Sequence, residues 1–317
     1  MTSGAATAWR LLVPLGLLAV LCYAVDVPAA LARLTSVAPG WLVAGLVLVQ
    51  LQVVLSALRW RLTAARLGQR LGVGRAVGEY YLATLLNQVL PGGVAGDATR
   101  VWRGAREPLA AEAPPVTVSR AAQGVVVERL AGQLALVVVA LAGLLIWPLT
   151  GDTPPPRAVL VALGTIVGLG LGGAALIVAV NRYGPPRARR FAATVAPLLR
   201  RCWLDDGVWR AQGALSLAVT ASYVALFALA AAAVGAPLPG VALATIVPLA
   251  LASMLLPLSV GGWGLREAAA AALWPLVGLA SESGVAASIL YGLLSLAGSL
   301  PGLLVLVRRR RLASATG

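Results

Sequence analysis

Leu90-Pro91-Gly92-Gly93-Val94-Ala95-Gly96-Asp97-Ala98-Thr99-Arg100 has a counterpart in the other half of the chain, Leu256-Pro257-Leu258-Ser259-Val260-Gly261-Gly262-Trp263-Gly264-Leu265-Arg266-Glu267. In both, a Leu precedes the Pro. Gly96 and Gly262 follow it at five residues, Arg100 and Arg266 at nine. Each stretch interrupts an apolar run, Ala76 to Ala95 in the first case and Val241 to Leu279 in the second. Proline removes a backbone donor and ends a helix. Glycine permits a tight reversal and close approach of backbone to a ligand. In a bilayer such irregular backbone is tolerated only inside protein or beside a watery cavity.

Around these two breaks the chain reads as membrane throughout. Of its 317 residues 60% are hydrophobic and only 11% charged, with mean hydropathy +0.89, whereas a soluble domain is nearer one quarter charged. Apolar runs long enough to cross a bilayer fall at about Leu11 to Ala32, Trp41 to Leu58, Gly124 to Leu149, Val159 to Val180, Gly213 to Val234 and Val285 to Val307. The expected fold is an all-α polytopic membrane protein. It has about six full transmembrane helices plus two pseudo-symmetric re-entrant, broken helical hairpins, in a single integral membrane domain over residues 1–317. The longest polar stretch, about Asn181 to Gln212, is too short and too basic to form an independent core.

All 25 basic residues are Arg, and with 11 acids they give a net charge of +14. Placed on the spans, the arginines follow the positive-inside rule. One side collects Arg10, the group after the second span, the group after the first break, those between the fourth and fifth spans, and Arg308 to Arg311. Both termini are then cytoplasmic, in a bacterial-type inner (plasma) membrane. The assignment requires each broken segment to return to the side it came from, the first dipping in from the cytoplasm and the second from outside. A crossing as two short helices has the same parity, so charge does not separate the two. The arginines sit in short loops, which argues against nucleic acid as a partner; anionic lipid headgroups are the natural complement. The first apolar run resembles a signal peptide ending at Ala30-Leu31-Ala32, but it is longer than the usual apolar core of one. Cys22 and Cys202 are expected far apart, with no disulfide or metal role. Gly164, Gly168 and Gly172 share one helix face and are read as a close-packing stripe.

Paired interruptions in two halves point to a midplane site in a transporter-like protein. A half-helix that begins inside the membrane turns free N–H groups and a positive dipole end toward the cavity, where an anion is favoured. The candidate substrate-binding residues are therefore Asn87, Pro91, Gly92, Gly93, Gly96, Asp97, Arg100, Glu128, Arg129, Pro257, Gly261, Gly262, Gly264, Arg266 and Glu267. Arg100 and Arg266 are the expected phosphate ligands, since a guanidinium holds two phosphate oxygens at once. Asp97, Glu128 and Glu267 would tune or neutralise them. Glu128-Arg129 either lies deep, with Glu128 pairing to Arg100 or Arg266, or snorkels at the inner interface. Gln50 and Gln52 are read as interhelical hydrogen-bonding residues.

At these residues the chain resembles the flippase-like membrane region of the lysylphosphatidylglycerol synthases. The carrying features are Arg59-Trp60, Asn87 with Leu90-Pro91-Gly92-Gly93, Gly96-Asp97, Arg100, Glu128-Arg129, Gly132, Pro257, Gly261-Gly262, Gly264 and Arg266-Glu267. The resemblance spans nearly the whole chain. It implies a protein related to lipid flippases that handles an anionic phospholipid or a polyprenyl-phosphate-linked substrate between leaflets. The sequence ends soon after its last span, so the expectation is a stand-alone member without the soluble aminoacyltransferase domain. A membrane-embedded glycosyltransferase-type enzyme is the competing reading, and a non-transporting partner subunit of a lipid or cell-envelope pathway the third. No catalytic constellation, metal-ligand spacing or cofactor motif stands in the sequence. The expectation is a non-enzyme without cofactor whose partner is membrane lipid. A homo-oligomer or an envelope-pathway enzyme is left open as a further partner.

Overall fold

The computed structural model describes residues 25–90, 93–106, 117–150, 154–255 and 260–306. Pro91, Gly92, Pro257, Cys22, most of the first apolar run, Arg10 and Arg308 to Arg311 lie outside the described residues.

The described chain is helical. α1 (Val27–Thr35) starts with Asp26, whose side chain accepts the Ala29 N–H at 3.0 Å, the usual way to satisfy a free N-terminal donor. α2 (Pro39–Arg66), α5 (Val118–Thr150), α6 (Arg157–Tyr183) and α8 (Trp209–Ala233) are long and apolar enough to cross a bilayer. So is α11 (Ser281–Ser299) with its continuation to Leu306. These five are the spans expected from hydropathy, apart from the first.

Between them lie shorter helices. α3 (Val73–Val89) and α4 (Ala95–Arg106) are the arms of the first break. α9 (Gly240–Ala252) and α10 (Leu265–Leu273) are those of the second. At 13 and 9 residues, α9 and α10 are about 20 and 14 Å long, less than the ~30 Å hydrocarbon core. α7 (Pro186–Trp203) is a helix inside the stretch read as a polar connection.

α2, α5, α8 and α11 pack around one another. Their shared core holds Val49, Val53, Leu226, Phe227, Ile246, Trp274 and Tyr291, with Phe227 stacked between Trp274 (5.4 Å) and Tyr291 (5.1 Å). The arms of the first break pack side by side and sit on α2 and α5. Gly96 makes this possible: a Cβ there would lie 2.0 Å from the Ala83 carbonyl oxygen, so only glycine lets α4 rest on the α3 backbone. The arms of the second break are held mainly by different neighbours, α9 by α5 and α10 by α11. α6 is the least engaged helix, with 6% of its apolar window buried. The expected close packing of the glycine stripe is not seen against the described helices. A Cβ at Gly164, Gly168 or Gly172 would meet nothing within 4 Å among the described residues, so none of those helices packs closely on the stripe.

Candidate functional site

The two breaks meet. Gly261 lies against the last turn of α3, where a Cβ would stand 2.8 Å from the Gln88 carbonyl oxygen. Gly261 also has φ +57°, a conformation that strains any other L-residue. Both reasons exclude a side chain at the junction. Asn87 spans the first break from the other side, its Oδ1 accepting the Gly96 N–H at 2.8 Å and so closing the start of α4.

Behind this junction is a cavity of about 280 Å³, bounded by α2, α3, α5, α8, α11 and both breaks. Among the predicted residues, Asn87, Gly93, Asp97, Arg100, Glu128, Arg129, Gly261 and Gly262 line it. Its charged lining is three guanidiniums, Arg59, Arg100 and Arg129, against two carboxylates, Asp97 and Glu128. Glu128 is the hub. Its Oε1 accepts Arg59 Nε at 3.2 Å, Arg59 Nη2 at 2.5 Å and the Tyr80 hydroxyl at 3.3 Å. Its Oε2 lies 3.4 Å from Arg100 Nη2. Asp97 pairs with both Arg100 and Arg129. Arg129 Nη2 also donates to the Gly93 carbonyl at 3.0 Å, tying α5 to the tip of the first break. The Arg100 guanidinium lies between the rings of Trp60 (4.9 Å) and Tyr80 (4.7 Å), a cation–π clamp that fixes its direction.

Glu128 does not snorkel to solvent: it is 1% exposed. α2 ends and α5 begins on one polar face, where Gln69 Nε2 donates to the Arg120 carbonyl at 3.1 Å. Counting helical rise from there puts Arg59 and Glu128 about 10–15 Å inside it. A charge buried in an apolar bundle must be paired or face a cavity; among the described residues Arg59 and Arg100 balance Asp97 and Glu128, and the one surplus cation is the partly exposed Arg129. Ser56 Oγ, Arg59 Nη1 and Arg100 Nε are buried with no hydrogen-bond partner among the described residues. A phosphate brings the acceptors these groups lack. Arg59 and Arg100 side chains are 5% and 3% exposed, but Arg129 is 37% exposed, the most accessible cation of the cavity lining.

Arg266 is placed differently from the expectation. It is fully buried and does not line the cavity. Its Nη2 donates to Glu267 Oε1 at 2.8 Å and its Nε to Ser288 Oγ at 2.8 Å, under Tyr291 at 4.8 Å. Gly292 leaves room for it, since a Cβ there would stand 2.5 Å from Arg266 Nη2. Glu267 Oε2 in turn accepts the Gly264 N–H at 2.6 Å, capping α10. Arg266, Glu267 and Gly264 therefore brace the second break, and Glu128 pairs with Arg59 and Arg100 rather than Arg266. Gln50 does bridge helices, its Nε2 donating to the Gly298 carbonyl at 3.2 Å. Gln52 bridges helices too, hydrogen-bonded to Tyr223 and Tyr291, and it also lines the cavity.

Arg59, Ser56 and Gln52 were not among the candidates. Their signal was present as polar residues at i, i+4 and i+7 on one face of an apolar span. Arg59 was instead counted with the topology-setting arginines beyond that span. Gly132 acts through Arg59: a Cβ there would lie 3.0 Å from both terminal guanidinium nitrogens, so glycine lets Arg59 lie on α5 and reach Glu128. A second buried pair, Arg103 with Glu79 at 2.7 Å, joins α4 to α3 nearer the polar face. Among the described residues no group of acidic or Cys side chains gathers in a way that could hold a metal ion.

A helical bundle that crosses the membrane several times and buries a charged cavity between two broken helices defines the class: a multi-pass, all-α membrane protein. The family described as "Lysylphosphatidylglycerol synthase TM region" matches residues 7–302, and the chain belongs to that family. No curated protein and no solved structure matches it.

Proposed function

We propose that the chain binds the phosphate of an anionic lipid, a phospholipid or a polyprenyl-phosphate-linked substrate, in the central cavity and passes it between leaflets without chemical change. The observation that carries this reading is the charge lining of the cavity among the described residues: three arginines against two carboxylates, with Arg59 Nη1 and Arg100 Nε unpartnered. The buried charges balance, Arg59 and Arg100 against Asp97 and Glu128, and the surplus cation is the partly exposed Arg129, open to an anionic ligand. The glycine-bearing junction of the two breaks offers the movable backbone that alternating access needs. In this reading Arg129 captures the headgroup, exchanging Asp97 for phosphate, while Arg59 and Arg100 hold it deeper. The arginine distribution favours the inner (plasma) membrane with both termini cytoplasmic.

The test is reconstitution into vesicles with a labelled phospholipid or polyprenyl phosphate, scored by leaflet exchange. Arg129→Gln is expected to slow exchange at least about tenfold, one lost charge-assisted contact of about 1.5–3 kcal/mol. Equal rates for wild type, Arg129→Gln and protein-free vesicles would refute the proposal. A chemically altered lipid recovered from the vesicles would turn the reading to the enzyme alternative.

A further inference from the structure

The central cavity leaves the most basic part of the chain unused. α7 turns Ala188, Ala192, Val195, Leu199 and Cys202 to one side, at helical spacing, with Ala192 and Cys202 buried. Its C-terminal half is anchored: Leu198, Leu199 and Trp203 pack around Leu67, Val127 and Cys202, and Arg66 Nη2 holds Asp206 at 2.6 Å. The opposite arc carries Arg187, Arg189, Arg190, Arg200 and Arg201, all exposed. Arg200 is paired with Asp205 at 3.0 Å; Arg187, Arg189 and Arg190 make no ion pair with any described residue. Exposed aromatics mark the level of this helix. Tyr183 at the end of α6, Phe191 on α7 and Trp209 at the start of α8 are 81%, 72% and 55% exposed. Exposed Tyr and Trp at span ends belong to the headgroup layer.

We propose that α7 is an in-plane docking surface for anionic phospholipid headgroups, separate from the central cavity. A helix joined at both ends to spanning helices, apolar on one side and arginine-rich on the other, lies along the interface rather than across it. The partner follows from charge complementarity: Arg187, Arg189 and Arg190 have no compensating acid among the described residues, and each arginine near an anionic leaflet favours contact roughly fivefold. α7 also packs against Val127, the residue before Glu128. Headgroup contact on its outer face therefore steadies the helix that carries the hub of the cavity.

The experiment uses the full chain with Cys22→Ala and Thr194→Cys, an environment-sensitive fluorophore on the new thiol, and nanodiscs of phosphatidylcholine with or without phosphatidylglycerol. Quenching by neutral acrylamide is expected to fall roughly fivefold with phosphatidylglycerol and to recover at about 1 M salt, where screening acts within ~3 Å. Adding Arg187→Gln, Arg189→Gln and Arg190→Gln should abolish the lipid dependence. Arg129→Gln should leave it intact while slowing lipid exchange, which separates this proposal from the cavity reading. Equal quenching in the two discs, lipid dependence that survives the triple substitution, or stronger shielding by a short RNA than by phosphatidylglycerol would overturn it.

Discussion

Glu128→Gln tests the hub of the cavity most directly. The carboxylate joins Arg59 (2.5 Å) and Arg100 (3.4 Å), and all three side chains are at least nine-tenths buried. Glutamine keeps the shape and removes the charge. Arg59 has no other carboxylate among the described residues, whereas Arg100 keeps Asp97. The substitution therefore strands one buried guanidinium, a change that costs about 3–5 kcal/mol when a buried pair is broken from one side. Arg59→Gln should cost less, about 1.5–3 kcal/mol, because Glu128 keeps Arg100. Combining the two removes the stranded charge, so the double variant should be more stable than the sum of the singles by about 1–3 kcal/mol. Equilibrium unfolding in mixed micelles, followed by tryptophan fluorescence, measures all three. A cost for Glu128→Gln below about 1 kcal/mol, or additivity within about 0.5 kcal/mol, would refute the pairing and with it the charge count on which the cavity reading rests.

The glycines give a sharper contrast. Gly96→Ala drives a methyl into the Ala83 carbonyl and should destabilise by about 1–3 kcal/mol or more, while Gly168→Ala on the open face of α6 should change stability by less than about 0.5 kcal/mol; apparent melting temperatures in detergent compare them. On α7, burial pushes the Cys202 thiol above its ordinary range, against the pull of Arg201 and Arg66. A raised thiol pKa means less thiolate at any pH below it, so maleimide at pH 8 should leave Cys202 unlabelled in folded protein and label it promptly after unfolding. Gly132→Val should push Arg59 off α5 and reproduce the Glu128→Gln loss in unfolding measurements, since the Cβ position lies 3.0 Å from the guanidinium.

The sequence by itself determined the features written in local chemistry. Long apolar runs must be spanning helices, and Pro and Gly at matched offsets must break the helices they interrupt, because a missing donor and a missing side chain act wherever the chain goes. The candidates Asp97, Arg100, Glu128 and Arg129 followed from charges in apolar surroundings, whose desolvation cost is likewise a property of position along a span. The structure alone decided the partners. Arg59 reaches Glu128 across 69 residues and Arg100 across 28, and Gly261 meets Gln88 rather than its pseudo-equivalent. Periodicity names the face a residue occupies but not the helix that will lie against it. That choice belongs to side-chain packing among all the helices at once, which is why Arg266, so like Arg100 in the sequence, ended as a brace and Arg59 ended in the cavity.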